Sequence, residues 1–255
     1  MAIQKRTPAK REPKKQPKEV EHTLTLSKPT KDKVELKPHQ KPVANFLREN
    51  DISIILSGAG CAKDFVQMFR AIEGLKNKEF EKIVITKPIL EIGRGVGFLP
   101  GLDEKFEPYL KSFYDIVDKI VGKESSNAIK AKIQFEHIGF QRGNTFPEHS
   151  AIILSELQNM SCHEAISYVT RLPQSSKLFA NGDWQQSDLG TKSGLNDFLE
   201  CVSGIDGVGI AILDPSIHQM RRKIINDISE NYLKVLKRSG KYFELDRSKF
   251  EYKEF

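Results

Sequence analysis

A chain of 255 residues with an apolar fraction of 38% is long enough to form one full domain around a buried core. It has no run of about 18 apolar residues, and its charged N-terminus lacks an apolar centre, so neither a membrane span nor a secretory signal is expected. Cys61, Cys162 and Cys201 lie far apart in the sequence without zinc-ligand spacing, which favours a reduced, cytosolic (cytoplasmic) compartment.

The formal net charge of +6 is concentrated at the start of the chain, since residues 1–42 hold 12 Lys/Arg and 5 Asp/Glu while the remainder is close to neutral. Residues 1–36 are also rich in proline, lysine, glutamate and glutamine, which predicts a basic, disordered arm. Two interpretations of the arm are open. It binds single-stranded RNA or DNA in a salt-dependent way, or it is only a solvated leader.

Beyond the arm, short β-branched and apolar runs alternate with helical patterns. This alternation predicts an α/β fold, a three-layer sandwich with a mostly parallel sheet, over residues 37–237, followed by a C-terminal tail, 238–255. A stripe from Phe106 to Ile120, a capping box at Ser161 and Glu164, and an amphipathic pattern near the end each predict a helix. The last helix is expected over residues 220–236. The predicted strands are 52–56, 82–86, 133–137, 151–154, 177–180 and 208–213.

The first chemical motif follows the first predicted strand, where a glycine-containing turn leads through Lys63 into a helical run. Such a turn lets backbone N–H groups point at a phosphate, while the helix N-terminus and the lysine add positive charge. The alternative is a turn that only joins the strand to the helix. The phosphate-loop pattern GxxxxGK[ST] has glycine before the lysine and a hydroxyl residue after it, whereas this chain has Ala62 and Asp64 at those positions. The candidate nucleotide-binding residues of this motif are Gly58, Ala59, Gly60, Cys61, Ala62, Lys63 and Asp64.

The second segment, residues 86–122, contains a loop with Gly93, Gly95, Gly97 and Gly101 and the basic residues Lys87 and Arg94. Its chemistry is not evident from residue types alone. It either tracks a nucleic-acid backbone or forms a long connection.

The third motif, residues 150–161, is an apolar strand that ends in Ser155 and Glu156. Phosphate-loop NTPases end this strand with two carboxylates, of which the first holds magnesium and the second activates water. Only the second carboxylate is present here, as Glu156. The alternative is a buried strand followed by a polar turn.

The fourth motif, residues 180–189, places Asp183 and Gln186 after another apolar strand. A carboxylate and an amide at this position are suited to sensing a γ-phosphate. The alternative is a plain turn built on Asn181, Gly182 and Asp183.

The segment that begins at Thr86 closely resembles the PhoH-like proteins, a branch of the phosphate-loop ATPases related to superfamily-one helicases. The family pattern T-[RK]-P-x-x-E-x-G-x-x-x-G-F-L-P-G, followed by E-K-x-x-P-Y-L and a Y-D pair, is matched in full. The similarity covers residues 38–230. The matching residues of this segment are Thr86, Lys87, Pro88, Glu91, Gly93, Gly97, Phe98, Leu99, Pro100, Gly101, Glu104, Lys105, Pro108, Tyr109, Leu110, Tyr114 and Asp115.

The resemblance implies a RecA-like core and a cytoplasmic ATPase associated with RNA metabolism or phosphate starvation, assembled as a homo-oligomeric ring, often a hexamer. It implies ATP and Mg²⁺ as ligands. Gln40 matches the glutamine that reads adenine, Lys63 the phosphate-loop lysine and Glu156 the general base. Gln186 matches the γ-phosphate sensor. A basic residue near the last helix corresponds to Arg221 or Arg222.

Three positions, Ala62, Asp64 and Ser155, depart from the family pattern. Ala62 adds a Cβ where the backbone approaches the phosphates, and Asp64 places a carboxylate beside them. Weakened or lost hydrolysis is one expectation, which makes a non-hydrolysing nucleotide- or nucleic-acid-binding subunit the alternative function. A second interpretation is that Asp64 and Ser155 have exchanged a hydroxyl and a carboxylate around one magnesium ion, since a hard cation needs oxygen ligands from either position.

Overall fold

The computed structural model describes residues 34–88, 102–137 and 145–255, with side chains left out for residues 102–109 and 137. Most of the predicted basic arm and the glycine-rich segment around Arg94 therefore lie outside the described residues. Several other matches to the family pattern, from Glu91 to Gly101, lie outside them as well.

Helices and strands alternate along the described part of the chain. The strands are β1 (Ile52–Leu56), β2 (Lys82–Lys87), β3 (Ile133–His137), β4 (Ser150–Leu154), β5 (Lys177–Gly182), β6 (Val208–Ile212) and β7 (Lys253–Glu254). The helices are α1 (Gln40–Glu49), α2 (Lys63–Lys76), α3 (Leu102–Val121), α4 (Lys123–Lys130), α5 (Cys162–Val169), α6 (Leu195–Val202), α7 (Pro215–His218) and α8 (Lys223–Arg238).

The strands form one parallel sheet in the order β3-β2-β4-β5-β1-β6-β7. This confirms the predicted α/β sandwich and each of the six predicted strands. β5 is two residues longer than predicted because Asn181 and Gly182 continue its pairing with β1. The alternative of a turn that begins at Asn181 is therefore wrong. β7 is an additional strand that the sequence analysis did not predict.

Successive side chains of each central strand point to opposite faces of the sheet, and both faces are covered. Ile55 and Ile85 belong to the apolar cluster beneath α1, α2, α3 and α4. Ile54 and Val84 belong to the cluster beneath α5 and α6 on the other face. Two buried apolar layers on one sheet give the three-layer arrangement.

Local sequence explains where two of these helices form. Ser161 caps α5 by accepting a hydrogen bond from the Glu164 N–H at 3.2 Å, and the Glu164 carboxylate accepts one from the Ser161 N–H at 2.8 Å. The predicted capping box is thus confirmed. Phe113, Val117 and Ile120 are buried along α3, as their spacing predicted. Among the described helices, none combines the length and apolar character needed to cross a membrane.

Residues 238–255, expected as a C-terminal tail, pack against the domain. Phe243 and Phe250 are buried in the cluster beneath α5 and α6. β7 pairs with β6, and the Phe255 ring lies edge-on to Phe46 of α1, with ring centroids 5.7 Å apart.

Candidate nucleotide site

The four motifs predicted from sequence meet at the carboxyl ends of neighbouring parallel strands, in the described part of each. The N–H of Ser57, just past β1, donates to the carbonyl of Gly182 at the end of β5 at 3.1 Å. The N–H of Ser155, just past β4, donates to the carbonyl of Thr86 in β2 at 3.0 Å. In open α/β sheets this edge is where ligands bind.

The turn between β1 and α2 has the backbone of an anion-binding loop. Gly60 has φ +85°, and Ala62 has φ 56° and ψ 32°, the left-handed conformation. Ala62, the N-cap residue of α2, makes no side-chain capping hydrogen bond. The first N–H groups of this 14-residue helix are therefore not capped by the side chain of their own N-cap residue, which suits a helix that receives an anion.

The ammonium group of Lys63 lies over this turn. It donates to the Ser57 hydroxyl at 3.0 Å and to the carbonyls of Ser57 and Gly58 at 3.3 Å. The lysine charge is thus held at the centre of the turn by neutral oxygens, which an anion can displace.

A buried polar network lies beneath the turn. Asp64 Oδ1 accepts hydrogen bonds from the Ser155 hydroxyl at 3.2 Å and from Asn181 Nδ2 at 2.9 Å. Asn181 Nδ2 also contacts Gln67 Oε1 at 2.6 Å, and Gln67 Nε2 donates to the carbonyl of Ala180 at 2.9 Å. The network ties the first turn of α2 to the ends of β4 and β5.

Glu156 stands beside this network in a strained backbone conformation. Its φ is 67°, a left-handed value that costs a non-glycine residue free energy and is often found at functional sites. Its carboxylate accepts from Gln158 Nε2 at 2.6 Å, and Gln158 Oε1 accepts from the Asp183 N–H at 2.9 Å. Gln158 therefore orients Glu156 and Asp183 relative to each other.

Asp183 is buried, with 5% of its surface exposed. Burial raises the pKa of its carboxyl, while the Lys63 charge acts in the opposite direction. Oδ1 accepts the Gln185 N–H at 3.0 Å, whereas Oδ2 has no hydrogen-bond partner among the described residues. A buried oxygen without a donor is an acceptor available to a ligand or water.

The segment between α7 and α8 closes over the turn from outside. Gln219 Nε2 donates to the carbonyl of Ala59 at 3.1 Å, and the Met220 N–H donates to the carbonyl of Gly60 at 3.0 Å. The Arg221 side chain also packs on Gly60, where an added Cβ would lie 2.9 Å from Arg221 Cγ. Arg221 therefore lies at the site, and Arg222 precedes α8 with an exposed side chain.

A cavity of about 310 Å³ lies between the turn and α8. Gly58, Gln185 and Gln186 line one side, and Gln219 and Tyr232 line the other. The Gln186 side chain is exposed, and it is Gln185 that comes within 3.0 Å of a Cβ placed at Gly58. A larger groove of about 660 Å³ beside α1 and α2 has no lining residue in common with this site.

Two further residues are close to the site. Lys87 lies near the network, and Gln40 lies close to the segment before α8. Lys87 is half-buried, and burial lowers the pKa of its ammonium group while the charges of Glu156 and Asp64 raise it. Gln40 is buried at the start of α1, where its Oε1 accepts the Lys37 N–H at 3.0 Å. Lys37 Nζ in turn contacts Met220 Sδ at 3.4 Å.

The side-chain oxygens of Asp64 and Ser155 have the spacing of two neighbouring magnesium ligands. They are 3.2 Å apart, close to the separation of about 3 Å between adjacent ligands of an octahedral ion with bonds of about 2.1 Å. Magnesium takes one or two protein ligands and completes its shell with phosphates and water. Within residues 34–88, 102–137 and 145–255, no cluster of three or more His, Cys, Asp or Glu side chains is arranged as a metal site.

Sequence reasoning missed four members of the site, Gln67, Asn181, Gln158 and Gln219. A signal was available for Gln67, which follows Asp64 by three residues and so lies on the same helix face. A signal was also available for Asn181. If the predicted strand 177–180 is extended by two residues, the Asn181 side chain points toward the end of a neighbouring strand.

Comparison with known proteins gives one consistent result. The family model described as PhoH-like protein matches residues 34–233. The chain is 33% identical over 198 residues to a PhoH-like protein of Bacillus subtilis, covering 76% of this chain and 61% of that protein. It is 31% identical over 199 residues to a PhoH-like protein of Mycobacterium tuberculosis, covering 76% and 56%. With Protein PhoH of Escherichia coli it is 35% identical over 159 residues, covering 60% and 45%. The matched part thus spans about half of the length of these relatives.

Proposed function

Because the chain belongs to the PhoH-like protein family, we propose that it binds ATP at the turn between β1 and α2 and hydrolyses it in the cytoplasm, in a process linked to RNA metabolism or the response to phosphate starvation. The family membership rests on the match of residues 34–233, and the activity is our proposal.

The observation that carries the proposal is the placement of Lys63. The ammonium group lies over a glycine-containing turn, at the start of a helix whose N-cap residue, Ala62, makes no side-chain capping hydrogen bond. A positive side chain, free helical N–H groups and a turn with left-handed backbone positions together favour a polyphosphate.

The neighbouring groups support hydrolysis as well as binding. Glu156 is exposed beside the turn, so its carboxylate would accept the proton of an attacking water. Gln186 and Asp183 would respond to the γ-phosphate, and Arg221 would stabilise the charge that develops on it. Gln40 would contact the adenine.

Magnesium would be held by Asp64 and Ser155 together with phosphate oxygens. When bound, the ion would neutralise charge on the phosphates and orient them. The residues themselves contribute a carboxylate and a hydroxyl, and Asn181 holds the carboxylate in place by its hydrogen bond of 2.9 Å.

A second candidate function is a non-hydrolysing subunit that binds nucleotide or nucleic acid. One observation favours it, namely the Asp64 carboxylate in the first turn of α2. A negative side chain next to the expected β-phosphate repels it. In addition, the left-handed backbone at Ala62 carries a Cβ where the family has glycine, which crowds the approach of the phosphates.

The test is phosphate release from ATP and Mg²⁺ by the full chain, with and without single-stranded RNA. We expect release that is lost in Lys63→Ala and in Glu156→Gln, while Glu156→Gln still binds ATP. Lys82→Ala is the matched control, because Lys82 is an exposed lysine at the opposite end of β2. ATP binding without release in the wild-type chain would favour the second candidate. Absence of both would reject every function that depends on ATP and leave only the nucleic-acid-binding form of the second candidate.

Two partners belong to the same proposal. The basic residues of the segment 1–42 would attract single-stranded RNA or DNA through phosphate contacts, so binding should weaken as salt rises. A homo-oligomeric ring is supported by α8, on which Ile224, Ile228 and Tyr232 are 62%, 59% and 56% exposed. An apolar helix face of this kind is typical of a surface that associates with another copy.

A further inference from the structure

The segment that follows α8, residues 239–255, lies beyond the part of the chain that matches the family. Asn196 of α6 fixes where this segment crosses the domain. Its Nδ2 donates to the carbonyl of Glu244 at 2.9 Å, and its Oδ1 accepts the Asp246 N–H at 3.0 Å. Because one amide side chain holds the backbone of both residues, the segment has a defined place beside α6.

Within this segment, the Arg247 guanidinium lies against two aromatic rings. Its Cζ is 5.9 Å from the centroid of the Trp184 ring and 5.8 Å from that of the Tyr252 ring. Both distances fall within the range of about 6 Å over which a cation is attracted to the face of a ring. Glu254 adds an ion pair, with Arg247 Nη1 and Glu254 Oε1 3.5 Å apart. Trp184 is buried, so the guanidinium meets a ring that the domain already holds.

Trp184 belongs to the motif that is expected to sense the γ-phosphate. It opens a single 3₁₀ turn, Trp184–Gln186, and follows Asp183 directly. Asp183 Oδ1 accepts the Gln185 N–H at 3.0 Å, while Oδ2 has no hydrogen-bond partner among the described residues. Gln185 and Gln186 line the cavity beside the phosphate-binding turn. A shift of the Trp184 ring would therefore move residues 183–186, here called the sensor turn.

We propose that Arg247 is a positioning residue, which holds the sensor turn in the geometry that the ATPase reaction needs by fixing the Trp184 ring. The inference rests on the proposed function, in which Asp183 and Gln186 respond to the γ-phosphate. The attraction between a cation and a ring depends on the face that the ring presents, so the contact fixes the orientation of Trp184 as well as its distance. Groups that act on a transition state lose rate when they are displaced even slightly.

Lys249 offers a matched contrast to Arg247. Both residues belong to the same 3₁₀ turn, Arg247–Lys249. The Lys249 ammonium group forms ion pairs with Glu200 at 2.9 Å and with Asp197 at 3.9 Å, and both carboxylates belong to α6. These contacts attach the segment to α6 and not to the sensor turn. Loss of Lys249 therefore tests attachment of the segment, and loss of Arg247 tests the position of Trp184.

The first experiment measures kcat and KM for phosphate release from ATP and Mg²⁺ by the full chain. In Arg247→Ala we expect kcat to fall about fivefold, the factor that corresponds to one cation–π contact. KM should stay nearly constant, because Arg247 is not among the residues that line the cavity. Arg247→Lys should restore part of the rate, since an ammonium group also binds a ring face. Lys249→Ala should keep both constants.

A second experiment needs no hydrolysis, because Trp184 is the single tryptophan of the chain and its fluorescence reports on this ring alone. In Arg247→Ala, acrylamide should quench the emission more strongly than in the wild type or in Lys249→Ala. Addition of ATP should change the wild-type emission, since the sensor turn borders the cavity. The change should be smaller in Arg247→Ala.

Three results would overturn the inference while leaving ATP as the ligand. One is a wild type that releases phosphate with the same kcat as Arg247→Ala. Another is an equal fall of kcat in Lys249→Ala, which would make attachment the cause. The third is ATP that binds without release and changes the emission equally in wild type and Arg247→Ala. A wild type that neither binds nor hydrolyses ATP would instead reject the proposed ATPase, and this inference with it.

Discussion

The side chains of Asp64 and Ser155 contact each other, with the serine hydroxyl donating to the aspartate carboxylate at 3.2 Å. Asp64 belongs to α2 and Ser155 follows β4, so the contact joins two motifs that are 91 residues apart. These are the two positions at which this chain departs from the expected magnesium ligands. Their direct contact means that a change at one alters the surroundings of the other.

The double change Asp64→Thr with Ser155→Asp should strengthen nucleotide binding. It moves the carboxylate away from the expected phosphates and keeps one hydroxyl and one carboxylate in contact. We expect ATP affinity in magnesium to rise about tenfold, equivalent to about 1.4 kcal/mol, measured by isothermal titration calorimetry.

One single variant serves as the control for this exchange. Ser155→Asp alone places two carboxylates about 3 Å apart and should weaken binding and lower stability. Unchanged affinity in the double variant would contradict the repulsion of the phosphates by Asp64, and it would agree with an exchange of equivalent ligands between the two positions.

Replacing Ala62 by glycine should stabilise the fold. The left-handed backbone at Ala62 costs a residue with a Cβ about 1 kcal/mol, which glycine avoids. Part of this gain is offset by the greater freedom of glycine in the unfolded chain. We expect the free energy of unfolding to rise by up to about 1 kcal/mol in urea titrations. The control Ala59→Gly, at a position without positive φ, should give no gain.

Removing the Asn181 amide should destabilise the protein. Its Nδ2 donates to Asp64 at 2.9 Å and contacts Gln67 Oε1 at 2.6 Å, so Asn181→Ala leaves two acceptors without that donor. The expected loss in the free energy of unfolding is about 2 kcal/mol. Asn127→Ala, at an exposed position of α4, should change it by less than about 0.5 kcal/mol. If Asn181→Ala lowered the free energy of unfolding by no more than Asn127→Ala does, the network would contribute nothing to stability.

Asp183→Asn should stabilise the fold in a pH-dependent way. Burial raises the pKa of Asp183 above the value in the unfolded chain, so the unfolded chain releases this proton at lower pH. The contribution of Asp183 is therefore present below its ordinary carboxyl pKa and is lost as pH rises through the folded pKa. Asparagine has no proton to lose, and the variant should gain about 1 kcal/mol over the wild type near pH 7.

The measurement is a series of urea titrations from pH 3 to pH 7. The difference between variant and wild type should be small at the acidic end and grow with pH. A difference that is constant across the series would show that ionisation of Asp183 is not its source.

A charge on the apolar face of α8 should weaken self-association. Ile228→Lys places an ammonium group at the centre of the exposed stripe formed with Ile224 and Tyr232. We expect light scattering to show a smaller assembly than in the wild type. Lys234→Glu, which lies about 120° around the helix from Ile228, is the control. A wild-type chain that is monomeric at all concentrations would remove the basis for the ring.

The strands and the turn at Lys63 could be predicted from sequence because each depends on local pattern. Runs such as Ile52–Leu56 are apolar and β-branched, and buried parallel strands require such residues. Asn181 was harder to place, because Asn181, Gly182 and Asp183 are also residue types that favour turns. Only the pairing of β5 with β1 decides between strand and turn.

The contacts across the site could not be predicted in the same way. Gln219 and Ala59 are 160 residues apart, and their hydrogen bond depends on how the segment between α7 and α8 returns to the turn. Nothing in the sequence around either residue specifies that path. β7 was missed for a related reason, since two residues are too few to show a strand pattern.

The position of β7 bears on how the protein can be shortened for experiment. β7 covers the edge of β6, where Ala211 pairs with Lys253 and Ile212 with Glu254, and the Phe255 N–H donates to the carbonyl of Ile212 at 3.0 Å. The family match ends at residue 233, which invites truncation there. A chain cut at that point would leave β6 as an open parallel edge, and an open edge is a template on which unrelated strands aggregate.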